Sequence, residues 1–416
     1  MSSWYSEGLE HLWLPYSQMK TAGKPLAVVG AGGVRLKLED GRELIDGIAG
    51  WWTAAHGYNH PQIVAAIKKQ AQALPHVMMG GLVNKPALRL AKRLADITPG
   101  DLNKVFFAES GSVSVEIAIK MAVQYWNNKG EPGRTKFLSF LGGYHGDTTM
   151  AMAVTDPGGM HRAFADFVPG EIFARLPEDE KTEAALEALL KKHGGQIAAL
   201  ITEPLVQGAG GMKFHDPGTL KKIRAAADRH DLLLIADEIF TGFGRTGALF
   251  ACDQAGIVPD IMCLSKALTG GVMPLSAAIV REHVFEAFLS DDPAKAFMHG
   301  PTYMGNALGC AAANASLDLF ESEPRLEQIQ AISGQMEHEL QYCQNIRGVK
   351  NVRVKGAIGV VELKETPDHE ALGRAFVEKG CWIRPFGNIV YLTPSYIIGA
   401  DDLSRLTSAI HEVLKG

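Results

Sequence analysis

The feature that most restricts this chain is a repeated unit: a short apolar run, a polar or glycine-rich turn at its end, then a helix-sized segment. "KVFFAESGS" runs into "VSVEIAIKMAVQYW", and "KFLSFLGGYHGD", "IAALITEPLVQGAGG", "DLLLIADEIFTGFGRTG" and "PDIMCLSKALTGG" follow in that order. Runs that are apolar throughout, rather than alternating, suit strands buried on both faces. Such strands separated by helical crossovers predict an α/β fold around a mainly parallel sheet. Ser110, Tyr144, Glu203, Asp237 and Lys266 each fall just past the end of one run. The carboxyl edge of an open parallel sheet is where ligands bind, so these five residues are expected to share a site.

The flanks differ. Residues 24–48 alternate in polarity around Asp40-Gly41, a pair suited to a hairpin turn. From residue 305 a helical stretch gives way to strand patterns at "VRVKGAIGVVEL" and "NIVYLTP". A chain of 416 residues exceeds what one small core organises. The expectation is a large domain over residues 50–304 and a smaller α+β domain built from residues 1–49 and 305–416.

Composition excludes several classes of function. With 46% hydrophobic and 21% charged residues the chain reads as globular, and its net charge of -5 offers no basic footprint for nucleic acid or a membrane surface. No apolar run nears the roughly 20 residues of a membrane-spanning helix, and "MSSWYSEGLEHLWLPYSQMK" lacks the core of a signal peptide. Cys252, Cys263, Cys310, Cys343 and Cys381 are odd in number and form no CxxC pair. That usage predicts free thiols in a reducing, cytoplasmic compartment. The histidines show no HExxH spacing, so no metal site is expected. "VVGAGGVR" lacks the third glycine and the following helix of a dinucleotide-binding turn.

The chemistry begins at "IMCLSKALTGG", where Lys266 interrupts an almost wholly apolar run. Such a lysine either snorkels from a strand end or presents its amine to a carbonyl. Asp237, at the end of "LLLIAD", is costly as a buried carboxylate unless paired. It reads as half of a salt bridge, as a helix cap, or as the group that keeps a ring nitrogen protonated. Together, 29 residues apart, Asp237 and Lys266 match what pyridoxal phosphate requires: an acid for the pyridine nitrogen and an amine for the aldehyde. In "SGSVSVE" a helix is expected from about Ser112. Ser110, Gly111 and Ser112 at its start either cap it or cradle a phosphate. Tyr144 in "GGYHGDT" either packs on the core or stacks on a flat ring, and Thr302 in "HGPTYMGN" can offer a phosphate a hydroxyl.

"LLLIADEIFTGFGRTG" followed by "PDIMCLSKALTGG", with "SGSVSVE" upstream, resembles the class III, fold-type I pyridoxal-phosphate aminotransferases over most of the chain. "WLPYSQM", "GWWTAAHGYNHP", "HVMMGGLVNKPA", "FMHGPTYMGNALGCAAANASL" and "GCWIRPFGNIVYLTPSYII" resemble the branch that aminates 8-amino-7-oxononanoate in biotin synthesis. The resemblance implies a fold-type I transferase with Lys266 bonded to the cofactor aldehyde and Asp237 on the pyridine nitrogen. It implies Gly111 and Ser112 on the phosphate, joined by Pro301 and Thr302 from the other subunit of a homodimer, with Tyr144 near the cofactor. It further implies Tyr16, Trp51, Trp52, Tyr144 and Gly300 around the substrates, Arg384 on the acceptor carboxylate, and Tyr391 close by. An apolar slot with a cationic anchor suits a long aliphatic keto acid. The amino donor implied is S-adenosylmethionine, with lysine the alternative, and another ω-amine transaminase is the rival reading. Phe240 stands where ornithine-type relatives carry glutamine, which argues against that branch.

Overall fold

Seven strands form the central sheet of the computed structural model, which describes residues 3–416. They are β1 (Leu102–Ala108), β2 (Lys136–Phe140), β3 (Ile172–Ala174), β4 (Ile197–Thr202), β5 (Leu233–Asp237), β6 (Ile261–Leu264) and β7 (Ser276–Arg281). Their spatial order is β1-β7-β6-β5-β4-β2-β3. Only β7 runs against the others, pairing antiparallel with both β1 and β6. The remaining six strands therefore end on one edge.

Side-chain alternation explains why the strands read as continuous apolar runs. Leu233 and Ile235 of β5 pack on one face with Val115, Ile119 and Trp126, whereas Leu234 and Ala236 join the core on the other. Both faces are covered, so neither parity is polar. Helix α1 (Gly111–Asn128) lies across one face, and its first residue precedes the expected Ser112 by one. Across the sheet, α2 (Ala307–Ser322) packs against helices Pro61–Ala73 and Lys85–Ile97, and α3 (Arg325–Leu340) follows it.

Two smaller sheets use the ends of the chain. Strands Val28–Gly32, Arg35–Leu38 and Glu43–Asp46 form an antiparallel meander, to which Cys381–Trp382 adds in parallel beside Ile45 and Asp46. "VVGAGGVR" is thus a hairpin. Strands Val349–Lys355, Ile358–Leu363 and Ile389–Leu392 make a three-stranded antiparallel sheet. No helix among the described residues is long and apolar enough to cross a membrane. The five cysteines are free and buried.

The loops at the sheet edge are pressed together without side chains between them. A Cβ on Gly210 would sit 1.9 Å from the carbonyl oxygen of Gly142, a backbone atom with no room to yield. Gly210→Ala is expected to cost about 2 kcal/mol or more through overpacking, read as a lower urea midpoint, with the loss falling on the loop that carries Tyr144.

Candidate active site

At the shared edge, the polar residues following β1, β2, β4, β5 and β6 converge. Ser110, Gly111, Ser112, Tyr144, His145, Glu203, Asp237 and Lys266 line one cavity of about 170 Å³ with Trp52, Ile239 and Phe240. Asp237 is almost fully buried and its carboxylate is not alone. Its Oδ2 lies 2.8 Å from His145 Nδ1, and its Oδ1 accepts from the backbone N–H of Ile239 at 3.2 Å. His145, which sequence reasoning passed over, stands beside Tyr144 in "GGYHGDT"; that adjacency was the only available signal.

Glu203 has a different task. Its two oxygens accept from the backbone N–H groups of Tyr144 and Gly208, both at 2.9 Å, and so tie together two loops at the edge. Burial, reinforced by the nearby Asp237 carboxylate and opposed by His145, pushes its carboxyl up to about 7. Lys266 is half-buried, and desolvation pushes its amine down against the opposing pull of Asp237 and Glu203. Its Nζ stands 5.1 Å from the centre of the Trp52 ring. A lysine so placed is closer to a neutral nucleophile than a surface lysine is.

The start of α1 supplies the anion end. Ser110 caps the helix through its Oγ, which accepts from the N–H of Val113 at 3.4 Å. Ser112 Oγ accepts from the N–H of Asp147 at 3.1 Å, and a Cβ on Gly146 would lie 2.1 Å from that same Oγ. Glycine at 146 thus lets the Tyr144 loop close over the helix N-terminus, where free N–H groups favour negative charge.

A second cavity of about 540 Å³ adjoins the first and shares Trp52, Tyr144, Ala209 and Lys266 with it. Tyr16, Gly50, Trp51, Thr53, Met160, Arg384 and Phe386 complete its wall. Trp51 is 38% exposed and carries Arg384 over its ring at 5.0 Å, with Tyr16 edge-on at 5.8 Å. Trp52 is 7% exposed and packs on Phe240 at 4.4 Å between ring centres. One tryptophan faces the cavity and the other also belongs to the core. Asp46 holds this wall: its carboxylate accepts from Ile48 N at 2.8 Å, Gly50 N at 2.7 Å and Tyr58 Oη at 2.6 Å. At the mouth, Asp147 accepts from Tyr16 Oη and from Tyr144 Oη at 3.0 Å, and lies 2.8 Å from His161 Nε2.

Backbone strain concentrates here. Tyr16, Trp51, Trp52 and Lys266 are four of ten non-glycine residues with positive φ among the described residues. Each such residue costs on the order of 1 kcal/mol and persists only where its surroundings impose it. Two residues expected around the substrates, Tyr391 and Gly300, stand outside both cavities. Tyr391 lines neither cavity; it is buried behind Trp52, with 6.1 Å between ring centres. Gly300, Pro301 and Thr302 occupy a loop outside both cavities of this chain.

An edge lysine, a buried aspartate and a helix N-terminus thus meet at one edge of the sheet, and residues 16–414 match the class-III aminotransferase family. The chain belongs to that family. It is 45% identical to the adenosylmethionine-8-amino-7-oxononanoate aminotransferase of Mycobacterium leprae (strain TN), over 97% of this chain and 94% of that protein. Its fold superposes on the enzyme of the same name from Methanocaldococcus jannaschii with a TM-score of 0.95 and 35% identity, covering 99% of this chain and 98% of the other. An (S)-enantioselective omega-transaminase from Thermomicrobium roseum follows at 0.92 and 31%, covering 99% and 97%.

The family's cofactor is pyridoxal 5'-phosphate, and the residues present fit it. The cavity offers one anion-binding end, one buried carboxylate, one amine with weakened basicity and an apolar flank of Ile239 and Phe240. Those are the partners of a phosphate, a ring nitrogen, an aldehyde and a flat ring.

A pH test follows from Glu203. Its folded-state pKa lies above the usual carboxylate value, so the folded chain holds a proton that the unfolded chain has released between about pH 4.5 and about 7. Its contribution to stability therefore falls as pH rises through that window. Glu203→Gln cannot ionise, so in protein freed of bound ligands its Tm relative to the parent should rise from pH 4.5 to 8.

Proposed function

We propose that this chain transfers an amino group to 8-amino-7-oxononanoate, giving 7,8-diaminononanoate, a step of biotin biosynthesis, with S-adenosylmethionine as the donor. The observation that carries the reading is Arg384. It stands half-buried on Trp51 in the wall of the larger cavity, in company with Lys266, and no carboxylate pairs with it among the described residues. An unpaired guanidinium in an apolar, aromatic-walled cavity suits a long substrate that ends in a carboxylate. The names of relatives that match this chain almost end to end agree with that chemistry.

When bound, pyridoxal phosphate supplies an aldehyde that condenses with amines and a protonated ring that draws electrons from the carbon bearing the nitrogen. Lys266 would hold the aldehyde, Asp237 the ring nitrogen, and Gly111 and Ser112 the phosphate. His145 Nδ1, 2.8 Å from Oδ2 of Asp237, keeps that carboxylate oriented. Lys266 Nζ, of weakened basicity, takes a proton from the amine-bearing carbon of the donor and later returns one to the acceptor carbon. Trp52 and Phe240 exclude water on one side, and Tyr144 covers the other, its hydroxyl held by Asp147. Both substrates use one cavity in turn, so the kinetics are ping-pong.

Pro301 and Thr302 are assigned to the phosphate of a partner subunit in a homodimer, which would account for their place outside this chain's own cavities. Tyr16, exposed at the mouth, is assigned to the donor, where it can stack on adenine. Free buried cysteines support a cytoplasmic location.

The experiment is a spectral titration of the holoenzyme. S-adenosylmethionine should convert the lysine-bound cofactor to its amine form, and 8-amino-7-oxononanoate should return it. Conversion by lysine alone would change the donor, and silence to both would point to another ω-amine transaminase. Lys266→Ala should keep the fold and lose turnover. Arg384→Ala should raise the acceptor KM about 30- to 100-fold, the cost of leaving a carboxylate unpaired.

A further inference from the structure

Behind Lys266 runs a buried polar chain with no part in the chemistry described above. Arg325 Nε donates to His56 Nδ1 at 3.0 Å, His56 Nε2 lies 3.0 Å from Ser316 Oγ, and Ser316 Oγ lies 3.3 Å from the carbonyl oxygen of Ala267. Chemistry sets its direction. A guanidinium N–H can only donate, so His56 Nδ1 is the acceptor and the ring carries its proton on Nε2. That proton goes to Ser316, whose own hydroxyl hydrogen is then free for Ala267. His56, Ser316 and Arg325 are all buried, so bulk solvent does not reach these bonds. Burial and the adjacent Arg325 push the imidazole down to about 3, which agrees with a ring that cannot take a second proton.

The chain ends on a strained turn. Lys266 has a φ of 47°, and the single helical turn Lys266–Thr269 is closed by Gly270 N donating to Ala267 O at 2.9 Å. The imidazole packs on this turn: a Cβ on Gly270 would meet His56 Cδ2 at 3.3 Å. His56 itself follows the Trp51–Trp52 wall by four residues, and a Cβ on Gly271 would meet Thr53 Oγ1 at 2.8 Å. Arg325 is the first residue of α3 and Ser316 lies within α2. Three separate parts of the chain thus meet on the carbonyl next to the lysine.

We propose that His56 is a positioning residue for Lys266. The one-way chain from Arg325 through His56 and Ser316 to Ala267 holds Lys266 at its positive φ and keeps the amine directed into the cavity. The proposal rests on Lys266 being the residue that bonds the cofactor, and it needs nothing of the substrates.

The test uses His56→Leu, His56→Gln and Ser316→Ala. Glutamine preserves the polarity, with a carboxamide oxygen to accept from Arg325 and an amide nitrogen to donate to Ser316; leucine preserves only bulk. Purified protein freed of cofactor is mixed with pyridoxal phosphate, quenched with borohydride at intervals, and the adduct is located by peptide mass. His56→Leu and Ser316→Ala should capture the cofactor at Lys266 about tenfold more slowly and lose kcat about tenfold, the worth of one lost buried hydrogen bond. KM should stay within about twofold, and His56→Gln should recover most of both rates. Capture and kcat near parent values in Ser316→Ala, which loses a single oxygen, would overturn the proposal even if His56→Leu failed to fold. So would a glutamine variant as impaired as the leucine one, because ring packing would then be the whole effect. An adduct on another lysine would overturn the role of Lys266 as well.

Discussion

The contact between Asp237 and His145 is the constraint on which the site depends. A carboxylate at the end of the central strand of a sheet buried on both faces is unstable by itself. The imidazole 2.8 Å from its Oδ2 and the backbone N–H of Ile239 on its Oδ1 make it tolerable. His145 can reach it only because the loop after β2 folds back over the start of α1, and that approach needs glycine at 146, where any Cβ would strike Ser112. Glu203 then fastens the same loop through the N–H of Tyr144. The acid that would face the ring nitrogen, the helix end that would face the phosphate and the tyrosine that covers the cavity are therefore fixed by one loop conformation.

The substrate wall is held by different means. Trp51 and Trp52 both adopt positive φ, which side chains of that size seldom do. Asp46 imposes it, because its buried carboxylate collects two backbone N–H groups from the turn and the hydroxyl of Tyr58. Burial favours a neutral carboxyl at Asp46 and the three hydrogen bonds favour the charged one, with burial the larger effect. Strain at the wall is thus offset by a polar group outside it, on a strand of the small four-stranded sheet.

The sequence disclosed the site where residue type and strand position together implied a chemistry. Lys266 and Asp237 stood out because an amine and a carboxylate at the ends of apolar runs are costly, and the parallel order of the strands brings those ends together. Trp51, Trp52, Tyr16 and Arg384 came from resemblance, and all four line the larger cavity. What stayed hidden was pairing across long separations. His145 meets Asp237 across 92 residues, and Arg325 meets His56 across 269. No local pattern announces such partners. The exact place of Tyr391 was hidden for a related reason: alternation along strand Ile389–Leu392 marks which face it takes, but not that it would pack behind Trp52 and Phe386 of the cavity wall.

The division of labour between the two cavities bears on specificity. The smaller one is made of groups that suit the cofactor and contains nothing that could measure the length of a substrate. Selection must therefore come from the larger cavity, where the polar groups stand apart: Arg384 on Trp51, and the Tyr16–Asp147–Tyr144 cluster at the mouth. Aromatic faces contribute affinity without reading polarity, whereas a guanidinium left unpaired favours only a ligand that brings an anion. An amine lacking a carboxylate would fill the same apolar wall and leave Arg384 desolvated with no partner. Such a site would discriminate by what it leaves unsatisfied, and on the proposed function the unpaired guanidinium among those aromatic rings would favour an acid.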